Sequence, residues 1–586
     1  MQDDLHNVLW GGGSTDDNEI FASLTNLILA KIEDEDITED GQEYGFQCLV
    51  YDQNGIETYE ENDVLFNRIN AIYRKALSDR LNITDRDVIN KSYVIDTNKF
   101  SLNKLRYTVQ QLERYSFVDG KNSVSGKDIL GDFFESIVRV GFKQSKGQFF
   151  TPINIVKFML WGIQADKLAI NKINTKQEIP YLIDSSAGSG TFLIEYMKFI
   201  TENINHRFKD KVSSKRAVQN KMIEWFPSQN RENSWAQIYV YGCELNFNLG
   251  TSIKVNMILH GDGSANVFVG GQKGDGLLPF HMYLKNGGVN ELDKERDSSI
   301  YDKKVNEHFD LILTNPPFSV KLDNETQRQL SDNYIFSEKE CSENLFIERH
   351  YQLLKPNGRL AVILPESIFD TSDNRYIRLF LYKYFKIKAV VSLPDLTFKP
   401  YTATKTSILF AQKKTEEEVK RYDKIWKSLV SNWTSEQTKI KNIISILLDG
   451  RSNRYSSLAG LNNNDFQRII IDFLGDYLEK GDESLDASLL AKKYRDILES
   501  LTKPDSDSVE EYGNANIGWV FSRISKTLNY DIYMAEAEQI GYKRTSRGIK
   551  ETPNDLYRTN DKNEILVDDG VEDTILDFLR NVEWDY

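Results

Sequence analysis

The chain has 586 residues, too many for one hydrophobic core, and a net charge of −15, which excludes a surface that grips nucleic-acid phosphate all over and leaves room for a local basic cleft or a partner that supplies phosphate contacts. With 40% hydrophobic and 27% charged residues it reads as soluble and globular, and no apolar run is long enough to span a bilayer. Cys48, Cys243 and Cys341 are odd in number and far apart, and the six histidines form no ligand-spaced cluster, so neither a disulfide framework nor a metal is expected.

The acidic start, Met1-Gln2-Asp3-Asp4-Leu5, lacks the basic and apolar regions of a signal peptide, so a cytoplasmic protein is expected. Residues 1–140 predict a helical N-terminal domain: after Gly11-Gly12-Gly13, helical apolar spacing runs over 18–32, 64–81 and 102–115. From 141 to 415 the character changes. Short β-rich runs at 181–183, 238–241, 311–313, 360–364, 389–393 and 407–410 alternate with amphipathic segments. That alternation predicts an α/β domain with a mostly parallel sheet covered on both faces. The Gly-, Asp- and Asn-rich stretch 261–304 reads as a long connection between two strands. Residues 416–586 return to charged helical patterns and predict a helical C-terminal region.

Candidate site residues fall at strand ends, where open α/β sheets place their chemistry. Asn315-Pro316-Pro317-Phe318 follows the run Phe309 to Thr314. Such a turn suits the activation of an exocyclic amine. The lone pair of adenine N6 is delocalised into its ring, so the nitrogen is a poor nucleophile. The Asn315 oxygen and a backbone carbonyl of the Pro-Pro turn can each accept one N6–H, pulling the nitrogen towards tetrahedral geometry. The prolines fix φ and carry no competing N–H, and Phe318 offers a flat face for stacking a base.

A second cluster describes a cofactor. Asp184 to Phe192 is a glycine-rich turn from strand to helix, where a ligand can approach the backbone. It lacks both the full dinucleotide fingerprint and the P-loop pattern. Asp184 suits a cationic amine. Glu244, closing the next strand, suits two ribose hydroxyls. Asp262, in His260-Gly261-Asp262-Gly263, is positioned to accept from an adenine amine. Thr151-Pro152 reads as a helix start with Thr151 as N-cap and Pro152 at the first position, and its N–H groups suit a carboxylate. Amine, carboxylate, ribose and adenine together describe S-adenosylmethionine (SAM).

Gly-Gln-Phe-Phe-Thr-Pro at 147–152, Asp184 with Gly188-Ser189-Gly190, and Asn315-Pro316-Pro317-Phe318, in that order, resemble the adenine-N6 DNA methyltransferases of the permuted gamma class. Within it the chain most resembles the modification subunits of type I restriction-modification systems. Asn256 to Asp262, Leu354 to Pro365 and Leu393 to Phe410 carry the likeness further, over about 130–415. The resemblance implies a SAM-dependent, Rossmann-like methyltransferase domain flanked by helical domains. It implies Gln148, Phe149, Thr151, Asp184, Gly188, Ser189, Gly190, Thr191, Glu244 and Asp262 as cofactor residues, and Asn315, Pro316, Pro317 and Phe318 as catalytic ones. Partners implied are double-stranded DNA, a specificity subunit, a second modification subunit and a nuclease subunit. Lys399 and Lys405, between the last two strands of the domain, are placed for DNA backbone. Tyr542 to Lys550 is a small basic patch. One departure stands out: Ser185 occupies a position where the family usually has proline. Two other functions are open. A SAM methyltransferase of RNA or protein is opposed by Gln-Phe-Phe-Thr-Pro, and a silent DNA-defence scaffold by the intact Asn315 and glycine turn.

Overall fold

The computed structural model describes residues 17–117, 151–227, 233–260, 266–270, 274–277, 306–505 and 514–586, apart from gaps of one to three residues within them. The chain divides into two compact units. The first comprises Met1–Glu366, Ile387–Lys413 and Tyr533–Tyr586; the second comprises Ser367–Lys386 and Lys414–Ile532.

In the first unit, helices α1 (Asp17–Ile37), α2 (Asn62–Asp79) and α3 (Leu102–Leu112) bury the apolar stripes that their spacing predicts. Between α1 and α2 lies an antiparallel hairpin, Val50–Gln53 with Ile56–Tyr59, so this region is not purely helical. The core of Phe21, Ile28, Leu65, Ile69 and Val109 runs on without a break into Leu249, Val255 and Ile258 further along the chain. The N-terminal helices therefore belong to the same compact unit as the sheet, and the expected boundary near 140 falls outside the described residues.

The large sheet has eight strands. In chain order, with the helices that matter here, the elements are α4 (Ile153–Gly162), α5 (Ala165–Lys176), β1 (Leu182–Asp184), α6 (Thr191–Ile200), β2 (Val240–Glu244), α7 (Phe247–Leu259), β3 (Asn266–Val269), β4 (Phe309–Thr314), α8 (Ser342–Leu353), β5 (Leu354–Pro365), β6 (Phe385–Ser392), β7 (Thr406–Lys413), α9 (Glu416–Leu447), α10 (Ile517–Thr527) and β8 (Tyr533–Glu536). Across the sheet the strand order is β3-β2-β1-β4-β5-β7-β6-β8. From β3 to β5 the pairs are parallel, whereas β7 runs antiparallel to β5, with Ile363 opposite Ile408. Strands β1, β2 and β7 are buried along their whole length, as continuous apolar runs covered on both faces should be. The order reverses between β1 and β4, and such a switch point opens a crevice beyond the carboxyl ends of the two strands.

Two strands go beyond the six expected. β3 is only four residues long and sits inside the polar stretch read as a connection. β8 alternates half-buried and exposed side chains and pairs in parallel with β6, Tyr533 opposite Ala389. The expectation of a helical region over 416–586 therefore needs correction: residues from Tyr533 onward rejoin the sheet unit. They are pinned there by buried polar contacts. Arg580 forms a two-pronged ion pair with Asp166 of α5, at 2.7 and 2.8 Å, and Gln164 donates to the carbonyls of Leu579, Arg580 and Val582.

The second unit is helical. α9 starts from a capping box, with Thr415 and Glu418 bonding each other's backbone N–H groups. Its buried stripe of Tyr422, Trp426, Trp433, Ile440 and Ile444 forms a core with Phe473, Leu498 and Trp519. Trp433 and Trp519 place their indole N–H on the carbonyls of Leu501 and Phe473, so both large rings are buried with their polar atoms satisfied.

Candidate active site

The crevice at the switch point is a cleft of about 910 Å³ counted to its open mouth. Ser185, Ser186 and Gly188 from the turn after β1, Glu244 and Leu245 after β2, Asp275 to Leu277 after β3, and Asn315, Pro316 and Pro317 after β4 all line it. Four successive parallel strands thus each deliver their carboxyl end to one space. A smaller cavity of about 240 Å³ adjoins it, sharing Ser186, Gly188 and Asn315 and adding Thr151, Ser189 and Thr191.

The turn after β1 is tight because its glycines take left-handed backbone angles, φ +55° at Gly188 and +79° at Gly190. At Gly190 a Cβ would lie 2.7 Å from Cγ2 of Ile253, so a side chain there is excluded by packing as well. Asp184 at its head is fully buried. Its Oδ1 accepts from the Thr314 hydroxyl at 2.6 Å and from the Ser186 N–H at 3.1 Å. Its Oδ2 is buried with no partner among the described residues. Burial pushes the carboxyl up to about 7, against the lowering effect of those two bonds. Thr314 also accepts from the Ser186 hydroxyl at 2.8 Å, which leaves its single proton for Asp184. The strand that carries Asn315 is thereby wired to the acid of the glycine turn.

Glu244 is anchored by backbone rather than by cations. Gly188 N–H donates to one carboxylate oxygen at 2.9 Å and Asn246 N–H to the other at 2.8 Å. Burial raises its carboxyl to about 7, with the two N–H bonds working the other way. Each oxygen retains acceptor capacity towards the cleft.

Asn315 is half-buried, and its amide nitrogen donates to the Thr151 hydroxyl at 3.2 Å. That bond orients the side chain and leaves Oδ1 buried without a partner among the described residues, a bare acceptor beside the cleft. The Pro317 carbonyl accepts from the Ser342 hydroxyl at 3.2 Å.

Several expectations change. Thr151 is not the N-cap: α4 starts one residue later, Pro152 occupies the cap position without a side-chain bond, and the Thr151 hydroxyl faces Asn315 instead. Phe318 is 6% exposed in the hydrophobic core, edge-on to Phe398, and does not line the cleft. Ser189 bonds Thr191 within the turn. Lys405 is exposed and paired with Glu536 at 2.8 Å, a bond that raises the lysine's pKa, and Lys399 is exposed. Gln148, Phe149 and Asp262 lie outside the described residues, as do the side chains of 544–549 in the basic patch. Asp275 lines the cleft along with Glu244, raised from the usual carboxylate range by burial, with the Leu277 N–H on its Oδ1 at 3.0 Å. The signal for it was present. After Asp184 and Glu244, it is the next acid to follow a parallel strand, but that strand is short and polar at its start.

A Rossmann-like sheet with a glycine turn after its first strand and Asn-Pro-Pro after its fourth defines a methyltransferase class. Residues 125–446 match the N-6 DNA Methylase family, and the chain belongs to that family. It is 24% identical over 313 residues to the type I restriction enzyme EcoEI methylase subunit of Escherichia coli, covering 53% of this chain and 50% of that protein. It is likewise 24% identical over 354 residues to the type II restriction enzyme and methyltransferase RM.BcgI of Heyndrickxia coagulans, covering 58% and 44%. The chain thus spans about half the length of these curated relatives. Among solved structures, one chain of a type I R-M system matches over 70% of this chain and 73% of its own, with 18% identity and a TM-score of 0.46.

Proposed function

We propose that the protein is a SAM-dependent adenine-N6 DNA methyltransferase, acting as the modification subunit of a restriction-modification or related phage-defence system. The observation that carries this reading is the single cleft that runs from Glu244 and the glycine turn to the bare Oδ1 of Asn315.

The residues fit SAM. The buried, unpartnered Oδ2 of Asp184 suits the amino group of an amino acid, whose positive charge offsets the burial of the carboxylate. Glu244 suits ribose hydroxyls, and Asp275 an adenine amine. Leu245 and Leu277 supply apolar wall. Bound there, SAM supplies an electrophilic methyl group. On the substrate side, Oδ1 of Asn315 and the carbonyl of Pro316 accept the two N6–H bonds of a flipped adenine and aim its lone pair into the cleft. Asn315 is not a base, so its part is to orient and polarise the amine. The N6–C bond would form as the S–CH3 bond of the bound cofactor breaks, and the N6 proton would then pass to water. Lys399 and Lys405 are the candidates for phosphate contact.

The domain reading follows: a catalytic region over about 141–415, with the N-terminal helices and the second unit serving DNA or a specificity subunit. An acidic chain whose catalytic region is followed by helices fits a protein that leaves sequence reading to such a subunit, with a second modification subunit and a nuclease subunit as further partners. Among the described residues no helix is long and apolar enough to cross a membrane, which is compatible with a cytoplasmic site of action.

The test is a genome-wide map of N6-methyladenine in the native host, wild type against Asn315→Ala. Loss of methylation at one sequence motif is expected, with methyl transfer reduced by about 10²–10³-fold, the scale for removing one transition-state hydrogen bond. An unchanged map would overturn the reading.

A further inference from the structure

One helix touches three of the four strand ends that line the cleft. Ser342, Phe346, Arg349 and His350 of α8 are spaced i, i+4, i+7 and i+8, so they share one helical face. Ser342 donates to the Pro317 carbonyl of the Asn-Pro-Pro turn. Phe346 lines the cleft itself. Arg349 donates to the carbonyl of Gly276 at 3.2 Å, next to Asp275. His350 meets the Ser185 hydroxyl through Nε2 at 3.0 Å. Arg349 and His350 are both fully buried, so these contacts are sheltered from water and held in one geometry.

The Ser185–His350 bond has a definite sense. Nδ1 of His350 is buried without a partner among the described residues. A buried N–H without an acceptor is rarer and costlier than an unused acceptor, so the proton belongs on Nε2 and is donated to Ser185. Burial, with Arg349 beside it, holds the imidazole down to about 3, so the ring is neutral throughout the working pH range. Ser185 then has its own O–H free, and it lines the cleft. A serine at this position thus gains from α8 a fixed orientation that a lone hydroxyl in a turn would lack.

We propose that this face of α8 is the positioning element that holds the cofactor turn in register with the Asn-Pro-Pro turn, and that His350 is its positioning residue on the cofactor side, acting through Ser185. The proposal rests on SAM as the ligand of the cleft. SAM is titrated calorimetrically into the full chain as wild type, Ser185→Ala, His350→Phe, the double variant and His350→Gln, with the melting temperature of each measured alongside. Each of the first two single variants is expected to weaken SAM binding by about 5- to 10-fold, the worth of one buried hydrogen bond. The double variant is expected to be no weaker than the worse single, because both changes remove the same bond. A glutamine side-chain amide can place an N–H near the position of the imidazole Nε2, so His350→Gln is expected to recover most of the affinity. Effects that multiply in the double variant, or affinities that stay at the wild-type value while melting temperatures fall, would overturn the positioning role. If His350→Phe fails to fold, Ser185→Ala and His350→Gln still decide the matter. A wild-type protein that binds no SAM would instead overturn the cofactor reading, and this inference with it.

Discussion

Two buried aspartates of the first unit stand in opposite circumstances. Asp166 on α5 is 2% exposed and meets Arg580 with both oxygens, while Arg580 also reaches Asp568 at 2.6 Å. Burial works against the charge of Arg580, yet its bonds to Asp166 and Asp568 outweigh that and raise its pKa further. Asp184 is equally buried but faces hydroxyl and amide donors, with no cation and one oxygen unpartnered among the described residues. The first site is complete within the chain and fastens the C-terminal segment to the sheet. In the proposed function, the second is the one that the amine of a ligand completes. A saturated buried charge is architecture, and an unsaturated one calls for an explanation, which the proposed ligand supplies for Asp184.

The contrast can be broken in several ways. Arg580→Ala leaves Asp166 and its charge buried without their main partner, and a stability loss of about 3–5 kcal/mol is expected in denaturant unfolding. Replacing both members by apolar residues, Asp166→Leu with Arg580→Met, is expected to cost much less. Asp184→Asn is expected to do the reverse of Arg580→Ala. It removes a costly buried charge, so the melting temperature of the free protein holds or rises, while SAM binding weakens by about 10- to 100-fold, the worth of a charge-assisted bond. A melting temperature that falls as far as in Arg580→Ala would erase the distinction. Gly190→Ala puts a methyl group against Ile253 at a positive φ, and a loss of about 1–3 kcal/mol is expected, with weaker SAM binding in the folded fraction.

A further expected effect is in pH dependence. Asp184 and Glu244 are raised from their usual range to about 7 in the folded protein. Between about pH 4 and 7 the folded form therefore holds protons that the unfolded form has released. Stability of the free protein from these two groups is greatest at the acid end and declines as pH rises towards 7. Binding of a cation at Asp184 needs the ionised form, so SAM affinity is expected to fall by up to about tenfold per unit as pH drops below 7. Asp184→Asn is expected to flatten that slope.

Much of the site was legible because its chemistry sits at strand ends, where local sequence sets position. Gly188, Glu244 and Asn315 follow apolar runs closely and line one cleft, while Asp184 and Gly190 sit in the same glycine turn without lining it. Asp275 was hidden by the weakness of β3, whose four residues carry too little apolar signal to announce a strand. The role of Thr151 was misread by one residue, because Pro152 can occupy either the cap or the first helical position and the choice depends on what the Thr151 hydroxyl meets. Least legible were pairings between distant segments. Nothing near Tyr533 signals that it adds to β6, and nothing near Arg580 signals that its partner is Asp166. Those contacts are set by tertiary packing, and a periodic pattern in one dimension does not encode them.

The most direct test of the central claim is the heat of SAM binding at pH 7 in two buffers of different ionisation enthalpy, for wild type and Asp184→Asn. One SAM per chain is expected, with heats that differ between buffers because Asp184 gives up its proton as the cationic ligand arrives, and with a smaller difference in the variant, where Glu244 alone remains to exchange a proton. No binding, or binding of equal strength and no proton release in both proteins, would contradict the account.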